Sequence, residues 1–160
     1  SRNGWVLIQN WSRGGGMEQK SKVYLYQTAV KWTEQRKGVI TCAGKPDVQV
    51  ATPPEFKGHD GIWSPEDLFV ASANVCLMTT FLAVAERAGL AFSAYESTAE
   101  GRLELVEGKF QFTAITIRPS INLKSGEDAG KAKELIEKAE RNCLISNSMK
   151  AAVTLEAVIY

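Results

Sequence analysis

The chain has 160 residues, of which 44% are hydrophobic and 23% are charged, and its formal net charge is +1 at pH 7. A chain of this length suits one domain that buries a core without disulfide bonds. Because the net charge is close to zero, electrostatics gives no reason to expect a nucleic acid or an anionic membrane as a partner. Small molecules and other proteins therefore remain as possible partners.

The first residues do not resemble a targeting sequence. Residues 1–16 end in three glycines before Met17, and their apolar part is too short for a signal-peptide core. We interpret residues 1–16 as a leader foreign to the natural protein, and we expect residues 17–160 to form a single domain.

The three cysteines, Cys42, Cys76 and Cys143, form an odd set, which is not typical of a secreted disulfide scaffold. The chain has one histidine, His59, and no C-x-x-C pair, so we expect neither a metal site nor a cofactor. We expect a reducing, cytoplasmic environment, in which any disulfide is transient.

Short strands are predicted in the segment after Met17. The Tyr- and Val-rich residues 22–32, KVYLYQTAVKW, predict a strand. The turn EQRKG follows and has Arg36 at its tip, where functional side chains are often displayed. Extended structure resumes at residues 39–44, and a short strand beginning near Val48 leads into a loop rich in Pro and Gly.

A long helix is predicted next, with clear start and stop signals. Ser64 is a favourable N-cap, Pro65 suits the first helical position, and Asp67 completes an S-x-x-D capping box. Gly89 can end the helix in a left-handed cap.

The middle of this helix, residues 68–85, carries no charge. Its length is at the lower limit of a membrane span. However, it contains Ser, Asn and Thr side chains and has charged residues on both sides, which disfavours a membrane helix. We therefore predict a helix that is buried on all sides in a soluble domain.

Two strands, a second helix and a last strand complete the pattern. Residues 95–108 and 109–123 predict a hairpin with Gly108 at the turn. The segment Ser125–Asp128 repeats the capping pattern and opens the second helix. Its apolar stripe comprises Ala132, Leu135, Ile136, Ala139 and Cys143. Residues 151–160 alternate in polarity as a strand does, and the whole order predicts an α+β fold.

Cys76, in the middle of the first helix, has two interpretations. Free cysteine commonly packs as a small apolar residue in a core, and burial raises a thiol pKa. A reactive Cys76 therefore requires a nearby positive charge. Arg87 is about 16 Å away along the same helix and cannot reach it. Arg36 is the better candidate, although its position in a turn alone would predict a solvated side chain.

Three segments carry a resemblance to the OsmC/Ohr family of osmotically inducible and organic hydroperoxide resistance proteins. They are SPEDLFVASANVC (64–76), AERNCLISNSMK (139–150) and YQTAVKWTEQRKG (26–38). The first is similar to the N-P-E helix of the family, the second to its second cysteine segment, and the third to the strand and turn that carry an arginine. The resemblance extends from about Val23 to Ile159.

The resemblance implies a cysteine-based peroxidase for organic hydroperoxides, active in the oxidative stress response. Cys76 matches the peroxidatic position and Cys143 the resolving one, while Arg36 and Glu66 match the pair that activates the thiol. It also implies an OsmC-like fold, in which antiparallel sheets pack around a long central helix and a second, amphipathic helix. Members are intertwined homodimers, and the best-studied branch is recycled by a dithiol on lipoylated proteins.

The mechanism inferred from this resemblance joins residues that one helix cannot bring together. Glu66 and Cys76 are about 15 Å apart along a straight helix and about 80° apart around it. We therefore predict that a second subunit donates the Arg36–Glu66 pair to Cys76. The apolar neighbours expected to favour organic peroxides are Phe69, Leu77, Met78 and Phe81, and Phe56 and Trp63 are candidates for lining the entrance.

Two alternatives to a peroxidase remain open. The first is a non-catalytic protein that binds a small molecule in the dimer pocket, and the second is a redox sensor based on a Cys76–Cys143 bridge. Leu144, where the family usually has proline, and the loop TPPEFKGHDGIWSPE favour these alternatives. The presence of all four matched positions favours the peroxidase.

Overall fold

The computed structural model describes residues 22–160, which form two sheets and three α-helices. The leader proposed for residues 1–16 lies outside the described residues. The elements are β1 (Ala29–Glu34), β2 (Lys37–Thr41), β3 (Val48–Ala51), α1 (Pro65–Ala88), β4 (Phe92–Val106), β5 (Lys109–Leu123), α2 (Ala129–Arg141), α3 (Leu144–Asn147), β6 (Ala152–Leu155) and β7 (Val158–Ile159). This arrangement confirms the α+β class.

The first sheet is a small antiparallel one in the order β1-β2-β3. The strand predicted from residue 22 was wrong in its extent, because residues 22–28 form no strand and are exposed. Ala29 pairs with Thr41 at the end of β2, and the chain then turns, with the Lys45 amide donating to the Cys42 carbonyl. Within residues 22–160, no strand therefore pairs with residues 22–28.

Helix α1 begins and ends where the sequence predicts. The Ser64 hydroxyl accepts from the Asp67 amide at 3.1 Å, and the Asp67 carboxylate accepts from the Ser64 amide at 3.0 Å, which completes the capping box. Gly89 ends the helix at φ 67°, in the left-handed region that costs glycine little.

Within one chain α1 is buried along one side only, so the prediction of burial on all sides was wrong for the single subunit. The buried side includes Leu77 and Phe81, which pack in the core. Val75 and Leu82, seven positions apart on another side, are 54% and 39% exposed. The helix is long and apolar enough to cross a membrane, a property that core helices of soluble proteins share.

The second sheet is built on the β4–β5 hairpin, whose turn is formed by Glu107 and Gly108, both with positive φ. Strands β6 and β7 both pair with β5 in parallel, so this sheet is mixed rather than antiparallel throughout. The single C-terminal strand that was predicted is divided at Glu156, whose amide donates to the Ile117 carbonyl. The core lies between this sheet and helices α1 and α2.

Helix α2 starts later and ends earlier than predicted. Ser125 makes no capping bond and precedes a short 3₁₀ turn, and α2 begins at Ala129. It ends at Arg141, because the Asn142 side chain donates to the Lys138 carbonyl and the Asn147 side chain donates to the Arg141 carbonyl. Cys143 therefore lies outside α2, where the sequence predicted it inside.

Candidate active site

The structure brings Cys76 and Cys143 together in the interior. Cys76 lies midway along α1, and Cys143 is the residue immediately before α3, with an extended backbone (φ −67°, ψ 106°). The two side chains are close enough for each to alter the pKa of the other, and both are free thiols. Cys143 has no exposed surface, whereas Cys76 is 9% exposed. Cys76 is therefore the more accessible of the two.

Several donors around Cys76 favour its thiolate form. Burial raises the pKa of Cys76, but the side chain of Cys143, the backbone amides of Ile145 and Leu144 and the hydroxyl of Thr80 lower it, and the net effect is a lowered pKa. The Thr80 oxygen is 3.9 Å from the sulfur. The amides are free because residues at the start of a helix have no partner within that helix.

The pKa of Cys143 changes in the opposite direction. Burial raises it, and the neighbouring Cys76 side chain raises it further. The hydroxyl of Ser146, which donates to the Cys143 sulfur at 3.3 Å, and the amide of the same residue oppose this increase without cancelling it. The environment therefore makes Cys76 the first of the pair to ionise.

These donors were missed by sequence reasoning. The helix that supplies the two amides, α3, has four residues, and it begins after Cys143, which is not a residue type that favours the N-cap. The sequence only indicated that SNSMK interrupts the preceding helix. The one sequence feature that hinted at an ordered turn was Ser146 itself, three residues after Cys143.

Arg36 and Glu66 are not paired with each other or with Cys76 within the described chain. Arg36 is exposed, and its Nη1 donates to the Phe56 carbonyl at 2.6 Å. Glu66 has one buried carboxylate oxygen, Oε2, that has no hydrogen-bond partner among residues 22–160. Because α1 is one continuous helix, Glu66 and Cys76 of one chain remain about 15 Å apart. The role of Arg36 and Glu66 at the sulfur stays a prediction.

A cavity of about 790 Å³ lies between the start of α1, strands β4 and β5, and the loop before α1. Phe56 and Trp63 line it, as do Glu66 and the half-buried His59. The two aromatic residues therefore lie next to an open cavity. Their contact with a substrate stays a prediction.

The other residues expected near a substrate belong largely to the core. Phe81 is fully buried, and its ring lies 5.5 Å from that of Phe92 and 5.4 Å from that of Tyr95. Phe69 stacks on Phe112 at 4.8 Å. Met78 is half-buried on α1. Within one chain, Phe69 and Phe81 thus support the helix that carries Cys76.

Cys42 is separate from this pair. It follows β2, is half-buried, and its sulfur donates to the Gln27 carbonyl at 3.6 Å. In the part of the chain that the structure describes, no group of three or more His, Cys, Asp or Glu side chains could hold a metal ion.

The family of the chain follows from comparison with known proteins. The sequence profile of the family described as "OsmC-like protein" matches residues 58–158, a range that includes Glu66 and both core cysteines. The chain belongs to the OsmC-like protein family. Arg36 lies outside the matched range.

Relatives of this OsmC-like chain include a peroxidase. The chain is 30% identical over 129 residues to the uncharacterized protein YmaD from Bacillus subtilis, covering 78% of this chain and 86% of YmaD. It is 29% identical over 101 residues to the peroxiredoxin OsmC from Escherichia coli, covering 63% of this chain and 69% of that protein. These relatives indicate a peroxidase-like family.

The fold of OsmC-like proteins is also shared by solved structures. An OsmC-like protein of unknown function from Vibrio cholerae superposes with a TM-score of 0.78 at 21% identity. The superposition covers 85% of this chain and all of the Vibrio chain. The similarity confirms the OsmC-like fold.

Proposed function

We propose that this protein is a thiol peroxidase that reduces organic hydroperoxides to alcohols. The observation that carries the proposal is the pairing of a Cys76 whose pKa is lowered with a fully buried Cys143 in contact with it. A thiolate is the reactive form towards peroxide, and a neighbouring thiol converts the oxidised cysteine into a disulfide. A core thiol with no chemical role needs neither feature.

The reaction proceeds in three steps. The Cys76 thiolate attacks the distal oxygen of the peroxide, the O–O bond breaks, and the alkoxide takes up a proton and leaves as the alcohol. Cys76 is now a sulfenic acid. Cys143 attacks its sulfur, the hydroxyl leaves as water, and a Cys76–Cys143 disulfide forms. An external dithiol, for which a lipoylated protein is our candidate, reduces the disulfide.

The dimer that this mechanism needs has support in the single chain. Val75 and Leu82 leave an apolar strip of α1 exposed, and residues 23–26 expose further apolar side chains. Large exposed apolar patches are typical of interaction sites. Glu66 has a buried oxygen with no hydrogen-bond partner in the described part of the chain, and Arg36 is exposed on a turn. We propose an intertwined homodimer in which the Arg36–Glu66 pair of one subunit orients and activates Cys76 of the other.

The preference for organic peroxides rests on the cavity beside Glu66. Its aromatic lining, formed by Phe56, Trp63 and Phe112, suits an apolar substituent better than water or hydrogen peroxide. We place the protein in the reducing cytoplasm, where dithiol reductants keep a transient disulfide in turnover.

Mass spectrometry tests the proposal. One equivalent of cumene hydroperoxide should remove two hydrogens from the reduced protein, and the Cys76→Ser variant should show no such loss. Catalytic turnover with dihydrolipoamide should follow. Oxidation without turnover would indicate a redox sensor instead. If neither cysteine is oxidised, only the hypothesis of a non-catalytic binding protein remains.

A further inference from the structure

Ser146 contacts the sulfur of Cys143, and none of the three steps above uses it. It is buried, and its hydroxyl donates to the Cys143 sulfur at 3.3 Å. Serine and threonine hydroxyls in helices usually bond to a backbone carbonyl one turn earlier. Ser148 and Thr79 do so in this protein, donating to the carbonyls of Leu144 and Cys76. Ser146 differs because its hydroxyl is directed at a sulfur.

In the reduced chain, the two cysteines that would form the disulfide are not equally exposed. Cys143 has no exposed surface, whereas Cys76 keeps 9% of its surface exposed. The site of attack in thiol–disulfide exchange depends on access as well as on the leaving group. A thiol that arrives from solvent therefore reaches Cys76 first.

We infer that the external dithiol attacks the Cys76 sulfur of the oxidised protein and that Ser146 stabilises Cys143 as the departing thiolate. This inference rests on the proposed function, because it describes the recycling of the same disulfide. Ser146 interacts with the leaving sulfur in this step, whereas the Thr80 hydroxyl and the amides of Leu144 and Ile145 interact with Cys76.

The electron balance of the step is simple. A thiolate of the reductant forms a bond to the Cys76 sulfur, and the electron pair of the broken Cys76–Cys143 bond leaves on the Cys143 sulfur. The second sulfur of the reductant, as its thiolate, then attacks the reductant sulfur that is bonded to Cys76. The reductant is thereby oxidised to a cyclic disulfide, and Cys76 is released as a thiolate. The reductant loses two electrons, and the protein gains them. One proton of the reductant returns to Cys143.

The departing sulfur needs this help because of its position. Burial raises the pKa of Cys143, and a thiol of higher pKa is a poorer leaving group. The Ser146 hydroxyl and the Ser146 amide both oppose this effect at the same sulfur. Removal of the hydroxyl leaves one donor of the two, in a site where water does not reach Cys143.

The position of attack can be determined on the wild-type protein. The disulfide is prepared with diamide, so that the experiment is independent of peroxidase activity. It is exposed to glutathione, quenched with acid after short intervals, treated with a maleimide under mildly acidic conditions and mapped by peptide mass. We expect glutathione on Cys76 and maleimide on Cys143. The reverse pattern overturns the inference.

The role of Ser146 is tested with two substitutions and a control. Ser146→Ala should lower the rate of disulfide reduction by dihydrolipoamide about tenfold relative to the rate of Cys76 oxidation, as the loss of a hydrogen bond to a charged group does. Ser146→Thr, which keeps the hydroxyl, should recover most of this ratio. Ser148→Ala removes the hydroxyl of the residue that follows α3, which bonds only to backbone, and its ratio should stay as in the wild type.

An unchanged ratio in Ser146→Ala contradicts the inference. Failure of the proposed function has a different signature, because peroxide then leaves both thiols intact while the diamide-formed disulfide is still reduced at Cys76. The pKa of Cys143 can be measured by ultraviolet thiolate absorbance in the Cys76→Ser variant. Adding Ser146→Ala to this variant should raise that pKa, an effect that a purely structural role of Ser146 does not produce.

Discussion

The proposed sharing of the active site between subunits makes a quantitative prediction for mixed dimers. Within one chain Arg36 donates to the Phe56 carbonyl, and the continuous helix keeps Glu66 about 15 Å from Cys76. If Arg36 acts on the Cys76 of its partner, two inactive variants can restore each other. The variants are Cys76→Ser, which lacks the nucleophile, and Arg36→Ala, which lacks the guanidinium.

The size of the recovery follows from symmetry. When equal amounts of the two variants are unfolded together and refolded, about half of the dimers contain one subunit of each kind. In such a dimer one site has lost both residues, and the other combines an intact Cys76 with an intact Arg36. About one quarter of all sites should therefore regain wild-type activity.

The assay is consumption of cumene hydroperoxide with dihydrolipoamide as reductant. Arg36→Ala alone should retain roughly one tenth to one hundredth of the wild-type rate, since a hydrogen bond to a charged group is lost. The control is to mix the two variants after separate refolding. If native mass spectrometry shows mixed dimers whose activity does not exceed this control, the Arg36 of one subunit does not serve the Cys76 of the other.

Three further outcomes are expected. Thr80→Val should raise the pKa of Cys76, because it removes a donor to the sulfur, and the pH midpoint of the oxidation rate should move upward; Thr79→Val, whose hydroxyl bonds only to a carbonyl, should leave the midpoint in place. Phe81→Ala should lower the free energy of unfolding by about 3–5 kcal/mol in urea titrations, and a loss below 1 kcal/mol would contradict its place in the core. Val75→Glu should give monomers in analytical ultracentrifugation, since the proposed dimer buries Val75, which is 54% exposed in the single chain; an unchanged dimer would exclude this strip of α1 from the interface.

The parts of the fold that local signals control could be predicted. Ser64 and Asp67 form their capping box through contacts three residues apart, and Gly89 and Gly108 adopt the left-handed conformation that their positions require. These features depend on neighbours in sequence, so the sequence alone contains them. The order of strands and helices followed from the same kind of signal.

The errors occurred where partners distant in sequence decide the structure. Residues 22–28 have a strand-forming composition, but the described part of the chain, residues 22–160, offers no strand to pair with them. Cys143 continued the apolar spacing of α2, yet Asn142 and Asn147 take the last carbonyls of that helix. The helical spacing correctly predicted that Cys143 is buried, but it wrongly placed Cys143 inside α2.

The candidate site was partly predictable for a similar reason. The resemblance selected Cys76 and Cys143, and the structure brings them into contact. The groups that lower the pKa of Cys76 in one chain are backbone amides, which every residue has and which no sequence pattern distinguishes. The role proposed for Arg36 requires a second chain, and a single sequence contains no geometry between chains.

The contact between Cys76 and Cys143 has a consequence for the heat resistance of the protein. A covalent bond there ties the central helix to the segment before α3 and encloses β4, β5 and α2 in one ring. By loop-closure entropy, a ring of this size restricts the unfolded chain enough to favour the folded state by about 4 kcal/mol. If peroxide forms this disulfide as proposed, oxidation gives the more thermostable form, and differential scanning calorimetry should record a higher Tm for the oxidised protein than for the reduced one.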